Sequence, residues 1–321
     1  MMRKILISVL VIGALIVLGI QTSHAESPKG ALEGRITMSG AWALYPMAVK
    51  WAEEFQKLNP GVKIDIAAGG AGKGMADALA NIADLGMVSR DINPEEVKKG
   101  AWWVSVTKDA VVPTVNESNP EIKDLLARGV KKETLYGIWI SGAVKTWGEV
   151  VNRNVPHSIR VYNRSDACGA AQTWADYFGK KQEDLQGLGV NGDPGLAAAV
   201  SKDILGTGYN NINYVYDANS KKPVKGIRVL PIDLNGNGRI DSDENFYTNR
   251  DQIIEAINSG KYPSPPARNL HFVAQGKPKQ EVVIQFLKWV LTDGQKYVPE
   301  TGYINLTKGK LQSELQKLSG E

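Results

Sequence analysis

The sequence predicts an α/β protein built on parallel strands, and three observations carry that prediction. Strand-like and helix-like patterns alternate along the chain, candidate strands end in glycine-bearing turns, and those turns open helix-like stretches. The turns are Ser39-Gly40-Ala41-Trp42, Gly69-Gly70-Ala71-Gly72-Lys73-Gly74 and Arg164-Ser165-Asp166-Ala167-Cys168-Gly169. Free N–H groups and the positive end of the helix dipole make a helix start attractive to an anion, and glycine lets the backbone approach it. Three such turns brought together would bind a small oxyanion.

Taken in order, the chain starts with Arg3 and Lys4 ahead of an apolar run from Ile5 to Ile20 and the small-residue site Ser23-His24-Ala25. This reads as a secretory signal peptide over residues 1–25, with the mature chain beginning at Glu26 and placed in the periplasm or outside the cell. The run is short for a membrane span, and no cysteine follows it to carry a lipid. Cys168 is the only cysteine, so no internal disulfide is expected even in an oxidising compartment. With 43% hydrophobic and 22% charged residues the chain is an ordinary globular one, long enough at 321 residues for two domains. Its formal charge of +4 falls to about +2 after cleavage, with both signs spread along the sequence, which is no footprint for nucleic acid.

Arg35 to Met38 then reads as a strand ending at Ser39-Gly40, and Met47, Trp51, Phe55 and Leu58 recur at helical spacing until Asn59-Pro60-Gly61. Val62, Ile64 and Ile66 alternate as a strand, Met75, Leu79 and Ile82 mark a second helix, and Leu85 to Val88 is the next strand. This βαβαβ order implies right-handed crossovers on a parallel sheet. Ligands of such sheets sit beyond the carboxyl ends of the strands, which is where Ser39-Gly40, Gly69 to Gly74 and Ser89-Arg90-Asp91 fall. Further on, Ile159 to Tyr162 is a strand and Ala170 to Phe178 a helix; Asp193-Pro194 starts a short helix, with a capping carboxylate and a proline at its first position. Val282, Val283, Phe286, Leu287, Val290 and Leu291 form an amphipathic helix that Asp293-Gly294 ends. Trp51, Trp174 and Trp289 lie on apolar helix faces and read as core, whereas Trp42 lies inside an anion turn.

The succession Ser39 to Pro46, Lys50 to Phe55, Asn59 to Val62, Gly69 to Gly74 and Ala83 to Arg90 resembles the periplasmic phosphate-binding proteins of ABC importers. Ile140-Ser141-Gly142 with Thr146-Trp147, and Arg164-Ser165-Asp166 at the start of an anion loop, extend the likeness over nearly the whole mature chain. The resemblance implies the type II periplasmic-binding-protein fold: two lobes, each a mainly parallel sheet flanked by helices, closing over a ligand cleft. It places residues 26–113 and 268–321 in the first lobe and 114–267 in the second. It also implies a monomer without catalysis, whose partners are a membrane permease and its ATPase, and whose ligand is inorganic phosphate.

On that template the ligand-contacting positions are Ser39, Gly40, Ala41, Trp42, Ala71, Gly72, Ser89, Arg90, Arg164, Ser165, Cys168, Gly169 and Ala170. The family usually carries hydroxyl side chains at several of these places, where this chain has Ala41, Trp42, Ala71, Cys168 and Ala170. Each lost neutral hydroxyl bond is worth on the order of 1 kcal/mol, so the losses leave open a different oxyanion or a small phosphorylated or carboxylated ligand, with Trp42 as a wall. A further alternative is a sensing or assembly protein on the same scaffold. Backbone N–H groups, Arg90 and Arg164 remain as donors, and a guanidinium grips an oxyanion in bidentate fashion. Asp91 or Asp166 could accept a proton carried by the ligand. Cys168 at a helix start invites a nucleophile reading, with only His157 and His271 as bases in the mature chain; a small half-polar residue in the anion cup is the preferred reading.

A second motif stands apart. Asp233, Asn235, Asn237, Gly238, Arg239, Asp241 and Glu244 match a twelve-residue calcium loop at its diagnostic positions, with Arg239 offering its carbonyl and Glu244 the closing carboxylate. No second loop pairs with it, so a structural calcium clip in the second lobe is expected rather than a sensor.

Overall fold

The computed structural model describes residues 32–319, so the signal-peptide reading lies outside the described residues. The first half opens as predicted: β1 (Glu33–Gly40), α1 (Tyr45–Leu58), β2 (Gly61–Ala68), α2 (Ala71–Leu79) and β3 (Leu85–Val88), with β1 parallel to both β2 and β3. Alternation builds β1 and β2, the four residues of β3 are all buried, and α1 buries Met47, Trp51 and Phe55 on one stripe. Ile82 lies beyond the end of α2 and is exposed, so the helix stops one turn earlier than its apolar spacing suggests.

A short α3 (Pro94–Lys98) leads into β4 (Ala101–Asn116), a strand of 16 residues. Three helices and a π-turn follow before the next parallel unit: α4 (Ile122–Arg128), α5 (Lys132–Tyr136), the π-turn over Gly137–Ser141 and α6 (Trp147–Val151), which Thr146 caps. Then come β5 (Arg160–Arg164), α7 (Gly169–Tyr177), β6 (Leu188–Val190), α8 (Gly192–Lys202), β7 (Gly206–Asn211) and β8 (Ile227–Val229). The chain closes with α9 (Arg250–Asn258), β9 (Ala267–Gln275), α10 (Glu281–Leu291), α11 (Tyr297–Glu300) and α12 (Lys308–Ser319).

Among the described residues, nine strands join one sheet in the order β2-β1-β3-β9-β4-β7-β5-β6, with β8 on β4. Parallel pairing holds at the two ends, where β1 meets β2 and β3, and β5 meets β6 and β7. The middle is antiparallel: β9 pairs with β3 and β4, and β4 pairs with β7 and β8. Two hydrophobic cores flank it. One draws on Ile36 to Val106 and Leu270 to Leu318, the other on Ala110 to Tyr262 with Ala267 and Ile304. The hand-over from one core to the other falls on β4 and β9, so the two-lobed fold is joined by strands rather than by a loop. Trp51 and Trp174 are fully buried and Trp289 packs against the first core.

Candidate functional site

The turns meet at the strand ends because the backbone there has little room for anything but glycine. Gly40 has φ +128°, and a Cβ on it would stand 2.4 Å from the Met87 carbonyl and 2.6 Å from the Gly74 Cα. Gly40 offers its carbonyl to the N–H groups of Gly69 and Gly70, at 2.8 and 3.0 Å, which ties the first two turns together. Ala41 donates its N–H to Met87 O at 2.9 Å. Ser39 is buried and donates its hydroxyl to Asp77 Oδ2 at 2.6 Å, and Lys73 pairs with the same carboxylate.

The third turn faces the other two directly. Gly72 donates its N–H to the Ala167 carbonyl at 3.0 Å. Gly169 lies so close to Ser89 that an added Cβ would be 2.2 Å from the serine O and Oγ. Trp42 covers Gly192, where an added Cβ would be 3.2 Å from the indole Cε2, and the Trp42 carbonyl accepts the Tyr214 hydroxyl at 2.9 Å. The structure thus gathers Ser39 to Trp42, Ala71, Gly72, Ser89, Arg164 and Cys168 to Ala170 around one junction, whereas Ser165 is exposed and bonds Val190 of β6. Ala41, Ala71, Cys168 and Ala170 are all buried there.

The sequence did not foretell how the arginines are held. Arg164 is wholly enclosed; its Nε and Nη2 bind Asp166 at 2.7 and 2.5 Å, and its Nη1 binds Asp193 Oδ2 at 2.5 Å. These carboxylates hold the guanidinium proton more tightly than usual, although burial opposes them. Burial also acts to raise the Asp166 carboxyl, but the bidentate Arg164 outweighs it and keeps the acid below its ordinary range. Asp166 Oδ1 further accepts the Gly192 N–H at 3.2 Å. Asp193 was expected to cap its helix from the end. Instead α8 begins two residues earlier, at Gly192, no side chain caps it, and Asp193 turns inward to Arg164 and to Asn211 Nδ2 at 2.7 Å. Pro194 accordingly lies at the third position, not the first.

Arg90 is likewise paired, in a fork on Glu96 at 2.9 and 2.7 Å, while Glu96 caps the start of α3 through the Asn93 N–H. Asp91 is exposed beside it. The nucleophile reading of Cys168 fails on its surroundings: burial pushes the thiol up to about 12 despite Arg164, and the sulfur accepts the Ala171 N–H at 3.4 Å as a helix cap. Its candidate bases are engaged elsewhere, His157 with Glu121 and His271 with Ser105.

Behind the turns lies a polar cluster that the sequence reading missed. Asp109 of β4 stands opposite Arg268 of β9, with Arg268 Nη2 3.7 Å from Asp109 Oδ2. Arg268 also binds the side-chain oxygen of Asn211, which joins the cluster to Asp193 and Arg164. Both oxygens of Asp109 and the Nε and Nη1 of Arg268 are buried without a hydrogen-bond partner. Burial raises the Asp109 carboxyl to about 7, the nearby Arg268 pulling the other way. One signal was available, an aspartate immediately before the apolar stretch from Ala110 to Val115, but its partner lies 159 positions away in the sequence.

In the expected calcium loop, Asp233 accepts the N–H groups of Gly236 and Gly238, both at 2.8 Å, and Glu244 accepts those of Leu234 and Asn235 at 2.8 and 3.0 Å. Gly236 and Gly238 both have positive φ, the conformation a sharp loop requires. Asn235 and Asn237 turn their amide nitrogens to Asp241, and Arg239 pairs with it. Among the described residues, no three His, Cys, Asp or Glu side chains converge as a metal-holding group.

Comparison with known proteins agrees with this architecture. A family model described as a PBP superfamily domain matches residues 25–294. The phosphate-binding protein PstS of Staphylococcus saprophyticus is 27% identical over 96% of this chain and 91% of its own. The protein of the same name from Methanocaldococcus jannaschii is 26% identical over 89% and 85%. In fold, the chain is similar to a putative phosphate ABC transporter substrate-binding protein with bound phosphate from Clostridium perfringens, with a TM-score of 0.69 at 21% identity over 85% of this chain and 100% of that one. An ABC-type phosphate transport receptor from Vibrio cholerae gives 0.61 at 20% identity, over 84% and 100%.

Proposed function

Because the chain belongs to the PBP superfamily, we propose that it is a substrate-binding receptor which captures an oxyanion, inorganic phosphate first, between its lobes and delivers it to an ABC importer. The observation that carries this reading is the junction of the turns. Gly40 bonds the Gly69 and Gly70 N–H groups, Gly72 bonds the Ala167 carbonyl and Gly169 abuts Ser89, so turns from elements of both cores come together at the carboxyl ends of parallel strands. The PstS relatives, named as phosphate-binding proteins, support phosphate as the ligand.

The lobes are residues 26–113 with 268–321 and residues 114–267, a division the two cores support except that Ala110 to Val112 and Ile304 pack in the second core. The receptor works outside the cytoplasm as a monomer after loss of residues 1–25, with a permease and its ATPase as partners. Nothing in the site calls for bond-breaking chemistry: the one thiol is capped and protonated. In the arrangement described, Gly72 is bonded to Ala167, so anion entry has to part the turns and replace that carbonyl.

Calorimetry of the purified protein against phosphate, sulfate and arsenate, with tryptophan emission recorded in parallel, tests the reading. Phosphate should bind and alter the emission, and most of the change should vanish in Trp42→Phe. No heat and no emission change with any of the anions at millimolar concentration would overturn it.

Calcium in the 233–244 loop is a second, separate proposal, with Asp233, Asn235, Asn237, Arg239, Asp241 and Glu244 as ligands. Its support is that Asp233 and Glu244 are both buried, and no lysine or arginine among the described residues pairs with either. The Asn235 and Asn237 amides would have to rotate to present oxygen.

A further inference from the structure

Every basic group that the turns bring to the junction already has a carboxylate: Arg164 has Asp166 and Asp193, Arg90 has Glu96, and Lys73 has Asp77. Arg268 is different. Its side chain is 5% exposed, its Nη2 is shared between Asn211 and a loose contact with Asp109, and its Nε and Nη1 are buried with no acceptor at all. The next residue, Asn269, has the complementary defect, a buried side-chain oxygen with no donor. Orphaned buried polar groups are rare in native proteins, and when they occur they point to a missing partner.

Arg268 and Asn269 both line a cavity of about 870 Å³ that also takes in Asp91 from the turn after β3, Lys108 of β4, and Gln172 and Thr173 of α7. Ile257, Tyr262 and Ala267 of the second core contribute to its wall, Asp176 of α7 adds a carboxylate, and it adjoins the turn junction through Arg90-Asp91 and α7. Its volume lies at the upper end of the range for small-molecule pockets and far exceeds what a bare tetrahedral anion fills. Lys108 is half-buried and has no carboxylate partner among the described residues. The lining mixes donors with acceptors and offers little apolar surface beyond Ile257, Tyr262 and the prolines.

We propose that this cavity binds a small hydroxylated organic anion, its oxyanion group on Arg268 with Lys108 as the second cation, and its hydroxyl groups on Asn269, Thr173 and Asp91. A phosphate monoester and a hydroxycarboxylate share this chemistry. The inference rests on the receptor reading above but assigns a different anchor and a larger ligand. A guanidinium with two unused donors, beside a lysine that has no carboxylate, is a stronger anchor than neutral backbone amides that are already bonded.

The test is calorimetry on the full protein with three probes: inorganic phosphate, glycerol 3-phosphate and gluconate. At least one organic probe should bind ten-fold or more tightly than inorganic phosphate, and which of the two does so identifies the oxyanion. Arg268→Gln should weaken that binding about a hundred-fold. Because Arg268→Gln also strips Asp109 of its cation and could fail to fold, Lys108→Gln on the half-exposed strand face is the second variant. It should weaken the organic probe five- to ten-fold at an unchanged melting temperature. If inorganic phosphate binds as tightly as both organic probes, or neither substitution alters organic binding, the inference is overturned while the phosphate-receptor reading stands. Organic binding without phosphate binding would leave the inference standing and overturn phosphate as ligand, and no binding of any probe would overturn both.

Discussion

Replacing Asp109 by asparagine should change how the fold responds to pH, and the size of the effect follows from where the residue sits. Asp109 is 1% exposed, neither oxygen has a hydrogen-bond donor, and burial raises its carboxyl from 3.8 to about 7. The folded state therefore holds this proton more tightly than the unfolded chain does. Its stabilising contribution is complete below pH about 4 and is lost as pH rises through about 7. At 1.36 kcal/mol per unit, the full span is about 4 kcal/mol, a large fraction of the stability of an ordinary domain.

Asp109→Asn has no proton to lose, so its stability relative to the parent should climb across that window even though Arg268 gives up its ion-pair partner. Urea unfolding of both proteins at pH 4.5, 6.0 and 7.5, followed by tryptophan emission, measures the difference directly. Parallel stability curves, with the parent no more sensitive to pH than the asparagine variant, would refute the burial argument. A widening gap of two or more kcal/mol would support it.

Two other expectations come from the same polar cluster and from the loop. Arg164→Ala should cost about 3–5 kcal/mol in chemical denaturation, because it abandons Asp193, which is 1% exposed, inside the core; a loss under 1 kcal/mol would mean that the carboxylates find water or another cation. If the 233–244 loop holds calcium with a dissociation constant near 10⁻⁵ M, millimolar calcium should add about 2.7 kcal/mol, or several degrees of melting temperature. A chelator should remove that gain, Glu244→Gln should make the protein indifferent to both, and a parent protein already indifferent to chelator would rule the site out.

The first parallel end of the sheet was legible because alternation in β1 and β2 and the 3.6-residue stripe of α1 are strong local signals, and glycine marks where a strand stops; at the other end only β5 was, β6 and β7 being short and glycine-bearing. The middle was not. β4 is buried on both faces through Ala110 to Val115, so it carries no period, and nothing local says that its first half pairs with a strand near the other end of the chain. The turns that meet at the site were legible for the same reason as the strands. What holds their arginines was harder, since a carboxylate next to an arginine in sequence fits equally well as its partner or as an acceptor for a ligand's proton. Asp166 takes the first role. Asp193 was misread as a cap because its spacing before an apolar helix fits one, while the pull of a buried guanidinium 29 positions earlier leaves no mark on its neighbours.

The 16 residues of β4 belong to both cores at once, pairing with β9 from Ala101 to Ala110 and with β7 from Val111 to Val115. A segment shared in this way makes the two halves thermodynamically interdependent. Neither core can melt without stripping the backbone partners of a strand that the other core needs, so the lobes are expected to lose structure in one cooperative step. The only irregularity in the β4–β9 ladder, a register shift between Ser105 and Thr107, lies just before the cores change hands. Any opening of the cleft has to be drawn from elastic bending and twisting of this ladder, with no slack loop to absorb it. That gives the molecule a preferred angle to which it springs back, and it makes the stiffness of two strands, rather than the reach of a linker, the quantity that sets how readily the jaws part.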